Sequence, residues 1–316
     1  MKYLITGGAG FVGAHLIDSL RTGGHQVVSV DAAAPHTVLP GVDFRTLSLI
    51  DRRALEKLLA DVRPDRIVHL ASASSVAFSW EKPMDCFMNN TNIFLNLVEA
   101  VRQRKLSCRI LSVGSSEEYG PVKQEDIPLR EAHALNPMSP YAVARVAQEH
   151  LSVIYAKGYG LDIVCTRSFN HLGPGQTDRF VISSFVKQAV EVSLGLRPVV
   201  VCGNVDIIRD FIDVHSVVAA YQCILDKGVS GEIYNVCSGQ GVTLRELLKR
   251  ICHKVRILET FEQDPKLMRP IESPVIIGCN KKLMALGFQM SFDLDHCIDD
   301  LIAWWKKELR LSEHPA

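Results

Sequence analysis

Two residues four apart start the chemical reading of this sequence. Tyr141 and Arg145 lie in Ser139-Pro140-Tyr141-Ala142-Val143-Ala144-Arg145. Pro140 suits the first turn of a helix, and side chains at i and i+4 share one helix face. A phenol beside a fixed cation is drawn from its ordinary acidity toward neutrality, which makes it a usable proton donor and acceptor. Ser115 lies in Ser112-Val113-Gly114-Ser115-Ser116-Glu117-Glu118-Tyr119-Gly120, after a β-rich run, and its hydroxyl can hydrogen-bond the same substrate oxygen. Taken alone, Tyr141 fits a core tyrosine of an amphipathic helix at least as well.

A second group lies at the start of the chain. Thr6-Gly7-Gly8-Ala9-Gly10-Phe11-Val12-Gly13 carries the spacing G-x-x-G-x-x-G between a strand pattern and a helix pattern. Glycines there allow a tight turn and let backbone approach a pyrophosphate at a helix N-terminus. Asp31 ends the second strand pattern, about 20 residues beyond the last glycine, as the dinucleotide-binding fingerprint requires. A carboxylate there accepts from the adenosine ribose hydroxyls and repels a 2′-phosphate, which favours NAD over NADP. A structural turn, and a solvated Asp before Ala32-Ala33-Ala34-Pro35, are the plainer readings.

These groups need a scaffold, and the hydrophobic pattern supplies one. Strands are expected at 3–6, 26–30, 43–47, 66–70, 108–113 and 162–166, alternating with helices at 11–21, 52–61, 85–104 and 140–157. Strand, helix, strand at this spacing implies parallel crossovers and a doubly wound sheet. The second half is less regular. Helices are expected at 177–194, 215–225, 243–252 and 295–307, with Thr243 and Glu246 as a capping box, and strands at 198–201, 232–235 and 256–259. This half reads as a smaller lobe packed on the first.

Composition narrows the function classes. The chain has 316 residues, 47% of them hydrophobic, with 35 Lys and Arg against 35 Asp and Glu. Zero formal charge excludes a whole-protein field for nucleic acid or anionic membrane and leaves a local basic pocket open. Nine scattered cysteines without a C-x-x-C pair read as reduced structural thiols of a cytoplasmic protein, with no metal site expected. No signal peptide pattern opens the chain, and no apolar run reaches the roughly 18 residues of a membrane span.

The motifs together resemble the extended short-chain dehydrogenase/reductase (NAD-dependent epimerase/dehydratase) family. Within it they are most similar to the branch of GDP-4-keto-6-deoxy-D-mannose reductases and GDP-mannose 4,6-dehydratases. The matching stretches are TGGAGFVG at 6–13, HLASASSV at 69–76, SVGSSEEYG at 112–120, NPMSPYAVAR at 136–145, TRSFNHLGPGQ at 166–176, FVISSFVKQ at 180–188, RDFIDV at 209–214, YNVCSGQG at 234–241 and QDPKLMRPIE at 263–272. The resemblance implies an α/β Rossmann-type doubly wound parallel sheet over 1–168. A smaller C-terminal α/β substrate lobe follows over 169–316, with some segments returning to the first domain.

The resemblance also implies roles. Ser115 and Tyr141 polarise and protonate a sugar carbonyl, and Glu117 matches the acid that dehydratases use to remove a sugar proton. Arg145 stands where the family has the lysine that holds the nicotinamide ribose, a departure that changes an ammonium for a planar fork. Gly7, Gly10, Phe11, Val12, Gly13, Asp31, Leu70, Ala71, Ser72 and Asn90, with Tyr141 and Arg145, are the expected cofactor residues. Ser74, Ser75 and Ser79 are expected along the hexose. Asn170, Arg209 and Arg269 are expected on the nucleotide diphosphate and Glu272 on the nucleoside ribose. Val181 and Lys187 are expected near the base, where a solvated helix lysine is the alternative. Ser48 and Ile93 are further departures, standing where relatives carry Asp and Gly.

The activity so implied is NAD(P)H-dependent reduction of carbon 4 of a GDP-4-keto-6-deoxyhexose by a cytoplasmic homodimer, with NAD favoured over NADP. The alternatives are a 4,6-dehydratase or 4-epimerase that retains NAD, and a nucleotide-sugar binding protein weakened in catalysis by Arg145.

Overall fold

A computed structural model describes residues 1–34, 39–268 and 271–313, without the side chains of 311–313. The first part of the chain runs β1 (Lys2–Thr6), α1 (Phe11–Thr22), β2 (Gln26–Asp31), β3 (Asp43–Thr46), α2 (Arg52–Val62), β4 (Arg66–His69), α3 (Val76–Glu81), α4 (Pro83–Gln103), β5 (Arg109–Ser115), α5 (Pro140–Tyr159) and β6 (Asp162–Ser168). A 3-10 turn, Ser116–Tyr119, follows β5 directly.

The second part runs β7 (Asn170–Leu172), α6 (Val181–Ser193), β8 (Val200–Cys202), β9 (Ile208–Asp213), α7 (Val214–Lys227), β10 (Ile233–Val236), β11 (Gly241–Thr243), α8 (Leu244–Val255), β12 (Phe261–Gln263), β13 (Val275–Ile276), α9 (Lys281–Met284) and α10 (Leu294–Glu313).

Seven strands form the main sheet in the order β10-β6-β5-β4-β1-β2-β3, and every neighbouring pair is parallel. From β1 the chain builds outward through β2 and β3, then crosses to the other side at β4. That reversal opens a crevice at the C-terminal ends of β1 and β4, where a doubly wound sheet takes its ligand. The central strands are buried on both faces, so they read as continuous apolar runs such as Leu4-Ile5 and Ile110-Leu111.

Local signals set the helix ends. Pro140 is at the start of α5, the Ser139 hydroxyl accepts from Ala142 N at 3.1 Å, and Gly160 closes the helix at φ 71°. Pro83 likewise opens α4, two residues before the expected start. α4 packs Phe94, Leu97 and Val98 fully inside, against α2 and the sheet. Truncating any of these large core side chains to Ala removes about 2–5 kcal/mol.

The second part does not stand apart. β10 hydrogen-bonds β6 in the main sheet, and α7 buries Val217, Tyr221 and Ile224 in the core that α1 and β1 share. The remaining elements build a lobe around α6, α8 and α10. Its small sheet has the order β11-β9-β13, with β7 also paired to β9.

Three expectations are corrected here, and one strand is added. The strand expected at 256–259 does not form: Arg256 takes φ 61° and ends α8, so the next strand is β12, which pairs with β8. The helix expected from Thr177 starts at Val181, after a turn. At α8, Thr243 caps Glu246 N, but the Glu246 carboxylate turns to Arg250 rather than completing a capping box. The strand β9 is absent from the expected set; tertiary burial of Arg209, Asp210 and Asp213 makes it a core strand.

Candidate active site

The glycine-rich turn joins β1 to α1 over the reversal of the sheet. Gly7 sits at φ 74° and donates to Val30 O at 2.9 Å. A Cβ on Gly7 would stand 2.5 Å from Ala71 N, and one on Gly13 would stand 2.6 Å from Gly7 O. The turn therefore needs glycine both for its dihedral angle and for close approach. Gly10 caps α1 without any side-chain bond, so no capping side chain covers the first-turn N–H groups of Phe11 and Val12, the arrangement of a helix-terminus anion site. Asp31 ends β2 beneath this turn and accepts from Ala9 N at 3.1 Å.

The segment after β4 closes the other side of the crevice. Leu70 N donates to Thr6 O at 3.0 Å and Ala71 N to the Thr6 hydroxyl at 3.4 Å. Asn90, 1% exposed on α4, accepts from Ala73 N at 2.8 Å and donates to Ala73 O at 3.2 Å. Asn90 thus shapes the segment rather than facing the crevice. Two buried polar atoms here, Ser72 Oγ and His69 Nε2, have no hydrogen-bond partner among the described residues. Together, the uncapped helix end, the Cβ-free cradle, the Asp31 carboxylate and these orphaned atoms fit a dinucleotide.

Tyr141 and Arg145 meet as their spacing predicts. Arg145 Nε donates to the Tyr141 hydroxyl at 3.1 Å, and its guanidinium lies 5.2 Å from the ring centre. Arg145 Nη1 donates to Val113 O at 2.9 Å and to Gln148 Oε1 at 2.7 Å. These bonds tie α5 to the end of β5, two residues before Ser115. The Ser115 hydroxyl accepts from Glu117 N at 3.2 Å, which leaves its own proton free to donate. His69 lies nearby with its Nδ1 on the Thr6 hydroxyl at 2.9 Å. Burial first, and Arg145 second, hold His69 down at about 3, so Arg145 meets a neutral imidazole.

Behind Ser115 lies a buried ionic cluster. Glu118 Oε1 accepts from Ser115 N at 2.6 Å. Arg167 grips Glu149 with two bonds of 2.8 Å and lies 4.8 Å over the Tyr119 ring. Burial first, and the Glu149 carboxylate next, push Glu118 well above the usual carboxylate range. A second buried anchor is Asp210 on β9, which accepts from Ser238 N and Oγ, Gly239 N and Gly278 N at 2.6–3.1 Å. Burial raises it to about 6 even so. This anchor fixes the strand that carries Arg209.

A cleft opens between the main sheet and the second lobe. Its polar lining includes Ser116, Glu117, Asn170, Arg209 and Glu272; Val76, Trp80 and Met138 supply apolar surface. Arg209 is 8% exposed, bonded through Nη1 to Ile208 O at 2.9 Å, with Glu272 3.9 Å from Nη2. A guanidinium at the floor of such a cleft suits a diphosphate, which it can hold by paired charge-assisted bonds.

Comparison with known proteins fits this geometry. The family model described as GDP-mannose 4,6 dehydratase matches residues 4–301. The chain belongs to this family. It is 32% identical over 311 residues to GDP-6-deoxy-D-mannose reductase of Pseudomonas aeruginosa, covering 98% of each chain. Among solved structures, RMD from Pseudomonas aeruginosa complexed with NADPH superposes with a TM-score of 0.85 at 29% identity, over 97% of this chain and 99% of that one. UDP-glucose 4-epimerase of Thermotoga maritima with UDP-glucose gives 0.90 at 26% identity, over 98% and 100%.

In this member of the GDP-mannose 4,6-dehydratase family, the expected residues fall into three sets. Gly7, Gly10, Phe11, Val12, Gly13, Asp31, Leu70, Ala71 and Ser72 gather at the crevice, and Ser115, Glu117, Tyr141 and Arg145 gather where β5 meets α5. Asn170, Arg209 and Glu272 line the cleft. Ser75 caps α3 by accepting from Phe78 N at 3.2 Å, Ser74 is exposed, and Ser79 is fully buried with its hydroxyl on Val76 O at 2.7 Å. Lys187 pairs with Asp178 at 2.6 Å and covers Trp305, and Val181 opens α6; neither lines the cleft. Arg269 lies outside the described residues.

Sequence reading missed Val76, Trp80 and Met138 as cleft residues. The first two stand at i and i+4 on α3, whose six residues are too short for a periodicity signal. It also missed Gln148, three residues beyond the end of the quoted NPMSPYAVAR motif.

Proposed function

We propose that this chain is a nicotinamide-dependent reductase acting on carbon 4 of a GDP-4-keto-6-deoxyhexose. The observation that carries the reading is the Tyr141 hydroxyl held at 3.1 Å by Arg145 beside Ser115, at the sheet end next to the Arg209 cleft. The near full-length similarity to GDP-6-deoxy-D-mannose reductase supports the substrate class.

A nicotinamide bound in the crevice supplies or accepts a hydride. The chain does the rest. Ser115 donates a hydrogen bond to the carbonyl oxygen and draws electron density onto it. Tyr141 gives its proton to that oxygen as it becomes an alkoxide, and the Arg145 guanidinium offsets the charge left on the phenol. Arg209, with Glu272 and Asn170, holds the nucleotide so that carbon 4 stays in reach. The first-turn amides of α1 hold the cofactor pyrophosphate and Asp31 its adenosine ribose, which supports NAD over NADP. Val76, Trp80 and Met138 offer apolar surface to a 6-deoxy methyl group.

A second reading, a 4,6-dehydratase with retained NAD, is favoured by one observation: Glu117 lines the same cleft and can remove a sugar proton. The deciding experiment supplies purified protein with GDP-mannose or GDP-4-keto-6-deoxymannose, each with NADH and NADPH, and identifies products by NMR. Reduced cofactor consumed one-for-one with the keto sugar supports the reductase. Water loss from GDP-mannose without net cofactor turnover supports the dehydratase. Tyr141→Phe is expected to lower kcat by about 10²–10⁴-fold with cofactor binding retained; unchanged turnover removes Tyr141 from the mechanism.

We further infer that 1–168 and 169–316 act as cofactor and substrate halves, with β10 and α7 returned to the first. Exposed Met84, Phe87, Met88 and Leu95 on α4, and Val143 and Ile154 on α5, support a homodimer across these helices. A solution mass twice that of the chain is the check.

A further inference from the structure

Arg145 brings a geometric problem that an ammonium would not. A lysine ends in a compact point donor that finds its acceptors from many stem conformations. A guanidinium is a planar fork and aims its N–H groups only when its plane is fixed. At this site the plane is fixed chiefly by Gln148.

Gln148 lies three residues beyond Arg145 on the same face of α5 and is 2% exposed. Its Oε1 accepts from Arg145 Nη1 at 2.7 Å, the shortest of the three Arg145 hydrogen bonds. Its Nε2 donates to Ser112 Oγ at 2.9 Å and to Val113 O at 3.1 Å. Ser152 Oγ, one turn further along α5, stands 2.9 Å from Ser112 Oγ and 2.8 Å from Gln148 O. Arg145, which only donates, and Val113 O, which only accepts, therefore set which way the amide faces. Val113 O accepts from both Arg145 and Gln148, so the chain of bonds crosses from α5 to β5 just before Ser115.

The partner is also neutral. Among the described residues no carboxylate forms an ion pair with Arg145, so its charge is left for the Tyr141 oxygen and for whatever binds beside it. We propose that Gln148 is a positioning residue matched to Arg145, fixing the guanidinium so that Nε meets the Tyr141 hydroxyl while leaving the positive charge unneutralised. The proposal rests on Tyr141 as the proton-transfer residue. It goes beyond that reading by assigning a function to a residue that touches neither substrate nor cofactor, and by treating 145 and 148 as one unit.

The test is a double-mutant cycle with a charge variant beside it. Arg145→Lys, Gln148→Leu and the double variant are measured for kcat, for KM and for the dissociation constant of NADH by fluorescence. Arg145→Lys removes the planar fork that Gln148 Oε1 orients, and Gln148→Leu frees the guanidinium plane. Each single variant is expected to lose about tenfold or more in kcat, and the double to be no worse than the weaker single. Multiplying effects, or unchanged kcat in Gln148→Leu, overturn the proposal.

Gln148→Glu is the charge variant: it keeps the volume and the acceptor facing Arg145 and gives up the two Nε2 donor bonds to Ser112 Oγ and Val113 O. It places a carboxylate on Arg145 and cancels part of its charge. The groups around the Tyr141–Arg145 pair are His69 on β4, Cys86 on α4, Tyr221 on α7, and Glu117 and Glu118 on the turn after β5. None of these is altered by the substitution. The alkaline limb of kcat/KM for keto-sugar reduction is expected to move up by about one pH unit, read on protein shown to be folded by circular dichroism. A residue of purely structural role leaves the limb in place, and that result overturns the proposal. The NADH dissociation constants need no sugar substrate, so if the protein reduces no GDP-4-keto sugar, the coupling of 145 with 148 is still read there.

Discussion

Replacing Glu118 by Gln is expected to leave the protein as stable as before at neutral pH, although it removes a fully buried carboxyl group. Glu118 Oε1 holds Ser115 N at 2.6 Å, while Oε2 has no hydrogen-bond partner among the described residues. The cation Arg167 stands 4.0 Å from Oε2 and is already engaged in two 2.8 Å bonds to Glu149. Two carboxyl groups thus share one guanidinium, and a proton on Oε2 both satisfies that oxygen and removes the surplus buried charge. In Glu118→Gln the new amide oxygen can accept from Ser115 N, and the amide NH2 takes the place of the proton. The expected change is within about 1 kcal/mol, or roughly 2 °C in Tm for a chain of this length. Glu118→Ala instead leaves Ser115 N unpaired and opens a cavity, together about 3–5 kcal/mol, with lower kcat as Ser115 loosens. The sign of the pH effect follows from the raised folded-state value. The stability Glu118 contributes is full below the ordinary value of 4.5 and is lost as pH rises through the raised value. The Tm of Glu118→Gln, compared with wild type in a pH series by fluorimetry, should therefore gain on the parent as pH rises. A constant deficit of more than about 2 kcal/mol across the series would show an ionised, paired Glu118 and refute the reasoning.

Three further outcomes test other parts of the site. Asp31→Ala should narrow the affinity ratio of NAD to NADP by about tenfold, read from fluorescence titration, because the carboxylate that repels a 2′-phosphate is gone; an unchanged ratio removes Asp31 from the ribose. Arg209→Met should raise the dissociation constant of GDP by about 10–100-fold in calorimetry and leave NADH binding unchanged; equal losses for both ligands would point to a folding defect. Trp80→Ala should erode discrimination between the 6-deoxy and 6-hydroxy GDP-hexoses in the oxidative direction by about tenfold. A uniform loss on both sugars would deny it a place against the methyl group.

The sequence by itself was enough for whatever depends on local pattern. G-x-x-G-x-x-G before a helix, Asp31 at the end of a strand and Tyr141 four residues before Arg145 each place their atoms through neighbours close along the chain. Continuous apolar strands alternating with amphipathic helices have few ways to bury their surfaces other than a parallel doubly wound sheet. The short second-lobe strands were less legible because nothing local decides them. Arg256–Glu259 has the composition of a strand, yet its pairing partner β8 lies in line with Phe261–Gln263, so the ladder forms there. Nothing local marks RDFIDV as a core strand; Ser238, Gly239 and Gly278 bring four donors to Asp210 from distant segments.

The same division holds at the active site. Arg145 was visible as a departure from lysine, but its spacing said nothing of how a planar fork is aimed. Only the packing of α5 on β5 brings Gln148, Ser112 and Val113 around it, because those partners come from different elements. Likewise Glu118 and Arg167 are 49 positions apart in the sequence, and only their shared burial beside Glu149 pushes the Glu118 carboxyl well above the usual carboxylate range. Residue types and short spacings determined which chemistry was available; tertiary structure decided which charges were paired, which were neutral and which were left to act, since burial and long-range contact set those energies.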